Sequence, residues 1–265
     1  MRIDARLREG VIAIADAAAA AILDVYRGDF DVVRKDDESP VTAADLAAHH
    51  CIVDGLRALT PGIPVLSEES PPEVVARRRQ WDRLWLVDPL DGTREFIKRN
   101  GEFTVNIAYV QDCVVRYGVV QAPVTGTVWH GGPGLGAWRR DAGGEREIRV
   151  RAPATEPLRV AASRSHRTGR SEAFITRMGR TEAIGLGSSL KFCVLAEGGI
   201  DCYPRFGPTS EWDTAAAQAV LEGAGGQVVD LDGRRFRYNC RDTLLNGEFI
   251  ALGDPELPWR RWAAA

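Results

Sequence analysis

Residues 85–96, WLVDPLDGTREF, decide how the rest of the chain is read. The apolar run Trp85-Leu86-Val87 has the make-up of a short buried strand. Two aspartates follow, Asp88 and Asp91, separated by Pro89-Leu90 and trailed by Gly92-Thr93. Asp88 precedes a proline, which keeps its backbone extended. Pro89 has no amide hydrogen to donate, and Gly92 lets the chain bend sharply and approach a ligand closely. These residues are expected to form a strand that breaks at Asp88-Pro89 and turns through Asp91-Gly92-Thr93, with both carboxylates facing one pocket. A hard divalent cation such as Mg²⁺ relieves the repulsion of carboxylates held together in this way. The Asp-Gly pair by itself is an ordinary hairpin-turn signal, so any further ligands must come from elsewhere.

The 265 residues suffice for a sizeable core. Apolar residues make up 45% and charged residues 27%, a globular balance that excludes a disordered chain. The net charge of −3 carries no basic excess of the kind that binds a nucleic-acid polymer or a membrane surface. Five scattered cysteines without a CxxC pair point to free thiols in a reducing compartment. The opening MRIDARLREG carries acids and no long apolar core, and no run reaches the ~18 apolar residues of a membrane span. A cytoplasmic placement is expected, peripheral attachment at the inner membrane being the one variant.

Residues 4–26, with alanines at 17–21, are expected to be helical, and a second helix starts near Thr42. Thr42-Ala43-Ala44-Asp45 has the form of a capping box. Residues 64–70 read as a short strand ending in Glu68-Glu69, acids that on type alone belong in solvent. Arg77-Arg78-Arg79 then reads as an exposed basic face. Strands are expected at 103–110, 114–121, 127–130 and 136–139, and the proline-bearing residues 151–157 as the boundary between two parts. Beyond it, strands (159–162, 181–184, 200–203, 228–230, 249–252) alternate with helices (171–179, 188–197, 214–223), an α/β pattern. Asp213 stands where a helix N-cap would. Arg205 in a turn and Lys191 at a helix start both read as surface residues on type alone.

Taken together, residues 88–108, DPLDGTREFIKRNGEFTVNIA, resemble the metal-binding signature of the inositol monophosphatase superfamily of Mg²⁺-dependent, lithium-sensitive phosphatases. Their form is that of its 3′(2′),5′-bisphosphate nucleotidase branch. LSEES at 66–70, SRSH at 163–166, GSSLKF at 187–192, YPRFGPT at 203–209 and the W-D element Trp212-Asp213 are similar to other motifs of that branch. The resemblance implies a layered α-β-α-β-α sandwich of class α/β (α+β). Residues 1–152 would carry the metal loops, and 153–265 the substrate residues and the last ligand. It also implies two or three Mg²⁺ ions held by Glu68, Asp88, Asp91, Asp213 and the Leu90 carbonyl, with Glu69 contacting water. Asp45 and Thr93 would orient the attacking water.

The amides of Gly92-Thr93 would receive the phosphate, beside Glu68, Leu90, Asp91 and Asp213. Ser189 and Lys191 would hold a second phosphate, Arg205 would pair with a phosphate, and His166 would lie against base or ribose. The implied reaction is hydrolysis, by a monomer, of a small-molecule bisphosphate nucleotide to AMP and phosphate, the substrate being adenosine 3′,5′-bisphosphate, a by-product of sulfate activation. Inositol monophosphate or fructose 1,6-bisphosphate are the alternative substrates. A non-catalytic sensor should lack a ligand or the water-orienting pair, and all of these residues are present.

Overall fold

Helix α1, Ala5–Arg27, starts where Asp4 accepts a hydrogen bond from the Leu7 amide at 2.9 Å. The computed structural model describes residues 1–28, 32–34, 40–163 and 169–264. After α1 come a two-stranded antiparallel hairpin, β1 (Val32–Arg34) and β2 (Pro40–Thr42), and helix α2, Ala43–Leu59. The apolar faces of α1 (Val11, Ile12, Ala15, Ile22) and α2 (Ala44, Ala48, Ile52, Leu56) share one core.

That core covers one face of a seven-stranded sheet. Its strands lie side by side in chain order: β3 (Val65–Ser67), β4 (Arg83–Asp91), β5 (Thr104–Gln111), β6 (Val114–Ala122), β7 (Thr127–Gly132), β8 (Gly136–Asp141) and β9 (Gly144–Glu147). β3 runs parallel to β4, and every other pairing is antiparallel. Helices α3 (Pro72–Arg77) and α4 (Thr93–Ile97) lie in the connections either side of β4. Residues along a strand alternate between faces, and both faces of β4 and β5 are buried. Trp85, Val87, Val105, Ile107 and Tyr109 meet α1 and α2, while Leu84, Leu86, Ala108 and Val110 enter a second core.

The second sheet has β10 (Leu158–Ser163), β11 (Thr181–Leu186), β12 (Cys202–Arg205), β13 (Gln227–Asp230) and β14 (Phe249–Leu252), in the order β11-β10-β12-β14-β13. β10 is parallel to β11 and β12, and β14 is antiparallel to β12 and β13. Helices α5 (Gly169–Arg177), α6 (Leu190–Ala196), α7 (Glu211–Gly223) and α8 (Trp259–Ala263) complete the chain. Tyr203, Val228, Phe249 and Ala251 face α6 and α7, while Cys202, Val229, Ile250 and Leu252 pack with Phe174, Trp259 and Trp262 of α5 and α8. The layers are therefore helix, sheet, helix, sheet, helix, as the resemblance implies. The middle core holds residues from both sides of position 152.

Helix α7 can approach the first sheet so closely because of its alanines and one glycine. A Cβ on Gly118 of β6 would lie 2.2 Å from the Ala216 carbonyl oxygen.

Several local expectations are corrected. β4 does not break at Asp88-Pro89: it continues to Asp91, with a register shift against β5 between Asp88 and Asp91. A bulge tolerates Pro89, because no ladder bond needs its missing amide hydrogen. α7 begins at Glu211 with Ser210 as N-cap, so Asp213 is the third helical residue and closes a capping box. Arg78 is not on an exposed face. It is 3% exposed and donates to Asn239 Oδ1 (3.1 Å) and to the carbonyls of Arg241 and Asp242. β9 and α8 were not anticipated. The five cysteines are free thiols, and among the described residues no helix is long and apolar enough to cross a membrane.

Candidate active site

Three elements deliver acids to one region. β4 ends with Asp88 and Asp91, the β3 terminus leads into Glu68, whose amide donates to the Val87 carbonyl at 3.0 Å, and the first turn of α7 carries Asp213. Asp88 is 2% exposed. Burial, followed by repulsion from Glu68, Asp91, Asp213 and Asp45, pushes its carboxyl well above the usual carboxylate range. Burial and the charges of Asp91 and Glu68 likewise raise Asp213, although the Ser210 amide donating at 2.8 Å pulls the other way. Acids made this costly to ionise are a recognised mark of a functional site.

The aspartates each turn an oxygen to a nearby donor. Asp88 Oδ1 accepts from the Leu90 amide at 3.1 Å, and Asp91 Oδ2 accepts from Ser188 Oγ and the Ser189 amide, both at 2.7 Å. Among the described residues, no three His, Cys, Asp or Glu side chains close around one point as a ready-made ligand cage. The donor set itself fits a hard cation. It consists of oxygens only, the acids repel one another, and the Leu90 carbonyl lies in the same bulge.

Asp45 and Thr93 meet as expected. Asp45 Oδ2 accepts from both the amide and the hydroxyl of Thr42 at 2.7 Å, which locks the carboxylate at the start of α2. Its Oδ1 lies 3.4 Å from Thr93 Oγ1, which is also 3.4 Å from the Leu90 carbonyl oxygen. Thr93 follows Gly92, whose φ of 92° and ψ of 40° are left-handed. A Cβ at Gly92 would stand 3.2 Å from the Glu102 carbonyl oxygen and 3.3 Å from Ser188 Cβ, so the turn needs glycine twice over.

The expected substrate residues divide. Ser189 is buried in the site, donating to the Asp213 carbonyl at 2.7 Å. Lys191 is also buried rather than on the surface. Its Nζ donates to the carbonyls of Ser188 (2.7 Å) and Leu186 (3.3 Å), and burial brings its pKa down to about 8. Arg205 donates to the carbonyls of Gly207 (3.3 Å) and Pro208 (2.8 Å), which folds its guanidinium over its own turn. His166 lies outside the described residues.

Two residues that were not singled out, Asn106 and Ser188, stand in the same network. Asn106 had a signal: an amide in the otherwise apolar Val105-Asn106-Ile107-Ala108 needs a buried partner. Ser188 had none beyond its place in GSSLKF.

Sequence comparison now bears on this arrangement. The profile of the inositol monophosphatase family matches residues 4–257. The chain belongs to the inositol monophosphatase family. As a member of it, the chain is a phosphatase. The 3′(2′),5′-bisphosphate nucleotidase CysQ of Escherichia coli strain K12 is 51% identical over 243 residues, covering 90% of this chain and 96% of that protein. The CysQ of Salmonella typhimurium is 49% identical over 243 residues, covering 91% and 97%. The crystal structure of CysQ from Bacteroides thetaiotaomicron superposes with a TM-score of 0.81 at 40% identity, covering 92% of this chain and 96% of that one. An inositol monophosphatase from Thermotoga maritima does so with a TM-score of 0.75 at 28% identity, covering 91% and 90%.

Proposed function

We propose that this family member is a 3′(2′),5′-bisphosphate nucleotidase that cleaves adenosine 3′,5′-bisphosphate to AMP and phosphate. The observation that carries this reading is Asp88, a buried carboxyl crowded by Glu68, Asp91, Asp213 and Asp45, with Thr93 tethered to Asp45 beside it. Identity of about half to nucleotidases over nine tenths of the chain supports the substrate class. Glu68, Asp88, Asp91, Asp213 and the Leu90 carbonyl would hold two or three Mg²⁺ ions. When bound, these supply Lewis acidity that lowers the pKa of water and offsets phosphate charge.

The chain's own groups do the rest. Asp45, fixed by Thr42, draws the Thr93 hydroxyl hydrogen toward itself. A lone pair on Thr93 Oγ1 is then left to accept from the attacking water and aim it at phosphorus. As the new P–O bond forms, the attacking water passes a proton to Thr93 Oγ1, which yields its own to Asp45; the bond to the ribose 3′ oxygen breaks, and that oxygen takes a proton from solvent water. The Gly92 and Thr93 amides receive the phosphoryl oxygens.

Ser189, Lys191 and Arg205 are assigned to the second phosphate and His166 to the nucleoside. Lys191 and Arg205 exchange their present carbonyl partners for phosphate oxygens when the nucleotide binds. Lithium sensitivity, a role in disposing of a sulfate-activation by-product, a cytoplasmic monomer and division into parts 1–152 and 153–265 belong to the same proposal.

The test is phosphate release with Mg²⁺ from adenosine 3′,5′-bisphosphate, inositol 1-phosphate and fructose 1,6-bisphosphate, with Asp88→Asn as blank. Preference for the nucleotide, abolished in the variant, is expected. Equal or faster turnover of the sugar phosphates would overturn the substrate assignment.

A further inference from the structure

The Asp91 carboxylate is held asymmetrically. Oδ2 accepts from Ser188 Oγ and the Ser189 amide at 2.7 Å each, and from Asn106 Nδ2 at 3.4 Å. Oδ1 takes no hydrogen bond among the described residues. Asn106 Nδ2 also donates to Ser189 Oγ at 3.0 Å, and Ser189 Oγ donates to the main-chain carbonyl of Asp213 at 2.7 Å. One side of Asp91 is thereby tied to the backbone of the acid that α7 contributes. The Thr104 hydroxyl lies 2.7 Å from Ser188 Oγ and 3.0 Å from Asn106 Oδ1. With the Ser188 proton committed to Asp91, the single Thr104 proton serves one or other of these acceptors.

The frame is buried and braced. Asn106 is 1% exposed, Ser189 2%, and Thr104 has no exposure. Ser188 takes a left-handed φ of 50°. The neighbouring Gly187 amide donates to Glu102 Oε2 at 2.8 Å. An aliphatic side chain would fill the Asn106 position without the desolvation cost of an amide, so packing alone does not account for the residue.

We propose that Asn106 and Ser188 are positioning residues for divalent-ion binding. They pin Oδ2 of Asp91, so that Oδ1 is the oxygen offered to the ion and a free carboxylate rotor becomes a fixed donor. This inference rests on the reading of Asp91 as an ion ligand. Partners that orient a ligand typically change metal affinity about 10- to 100-fold when removed.

The experiment is calorimetric titration of the metal-free protein with Mn²⁺, with Asp91→Asn as blank. Asn106→Leu keeps the branched shape of the side chain and removes the amide. Ser188→Gly removes the hydroxymethyl group that carries the hydroxyl, at a backbone angle that glycine accepts without strain. Thermal scans without metal report whether each variant is folded. The expected result is Mn²⁺ affinity about 10- to 100-fold weaker in Asn106→Leu and about tenfold weaker in Ser188→Gly.

Unchanged Mn²⁺ affinity in folded variants would overturn the inference, whatever happens to their melting temperatures. Should Asn106→Leu not fold, Ser188→Gly decides alone. Wild-type protein that binds no Mn²⁺ would sink both this inference and the proposed function. Wild-type protein that binds Mn²⁺ through Asp91 yet releases no phosphate from the bisphosphate would sink the proposed function only, and the affinity losses would still uphold the positioning role.

Discussion

Replacing Gly118 by alanine puts a methyl carbon 2.2 Å from the Ala216 carbonyl oxygen and 2.8 Å from the Cα and carbonyl carbon of the same residue. Carbon and carbonyl oxygen ordinarily approach to about 3.3–3.6 Å, so α7 must lift from β6 by about 1 Å. It has little room to do so. Gly223 at its far end is so close to the β7–β8 turn that a Cβ there would stand 2.4 Å from the Gly136 carbonyl oxygen. On its other side α7 shares a core with Phe249 and Ala251 of the second sheet. Overpacking of this kind costs about 1–3 kcal/mol. At about 2–4 °C per kcal/mol for a chain near this size, the melting temperature should fall by roughly 2–12 °C. Since Asp213 rides on the first turn of α7, Mn²⁺ affinity should fall as well. Calorimetric scans and Mn²⁺ titrations are to be run beside Gly62→Ala, whose Cβ would meet nothing within 4 Å. A Gly118→Ala protein that melts with the wild type would refute the reasoning, because α7 would then not rest on the backbone of β6.

Three further outcomes are expected. Asp88 has a folded pKa well above its ordinary 3.8, so its ionised form opposes folding. That penalty is absent below about pH 4, where the group is protonated folded and unfolded alike, and it grows as pH rises through the window up to the raised value. The melting temperature of metal-free protein should therefore carry a downward pH slope over that window, and Asp88→Asn should flatten it. Equal slopes in the two proteins would show that neither burial nor the neighbouring acids raise the Asp88 carboxyl in the folded protein. Arg241→Met strips the cation from Glu211, which has no exposure and pairs with Arg241 at 2.9 Å. It should cost about 3 kcal/mol in urea unfolding, with part recovered by adding Glu211→Gln; a loss below about 1 kcal/mol would count against a desolvated pair. Lys191 loses its charge as pH rises through about 8. The nucleotide KM should climb there in wild type and stay flat in Lys191→Met, and a parallel climb in both would remove Lys191 from the phosphate site.

Much of this arrangement was legible because its signals are local. The helix of residues 4–26, the capping box of Thr42 and Asp45, and the strands after residue 103 follow from spacing and turn chemistry between chain neighbours. So does the exceptional turn at Gly92. What could not be read depends on contacts made across the chain. Arg78 is buried only because Asn239 and the carbonyls of Arg241 and Asp242 lie over it, more than a hundred residues away. Lys191 faces inward because the 186–188 turn closes round its ammonium. Pro89 reads as a stop from its missing amide hydrogen, yet the bulge absorbs it without breaking β4. The layering itself came through resemblance, since no periodicity says which helix lies between two sheets.

The place of α7 between the sheets also has a consequence during synthesis. The apolar face of the first sheet that includes Leu84, Leu86, Ala108 and Val110 has its strands on either side complete once Gly132 is made. Its cover, α7, ends at Gly223. The ribosome must add about 90 residues in between, roughly 5–20 s at usual elongation rates. For that interval the nascent chain carries a sheet with one bare greasy side, and any substitution that slows the docking of α7 lengthens the time in which a neighbouring nascent chain can adhere to it.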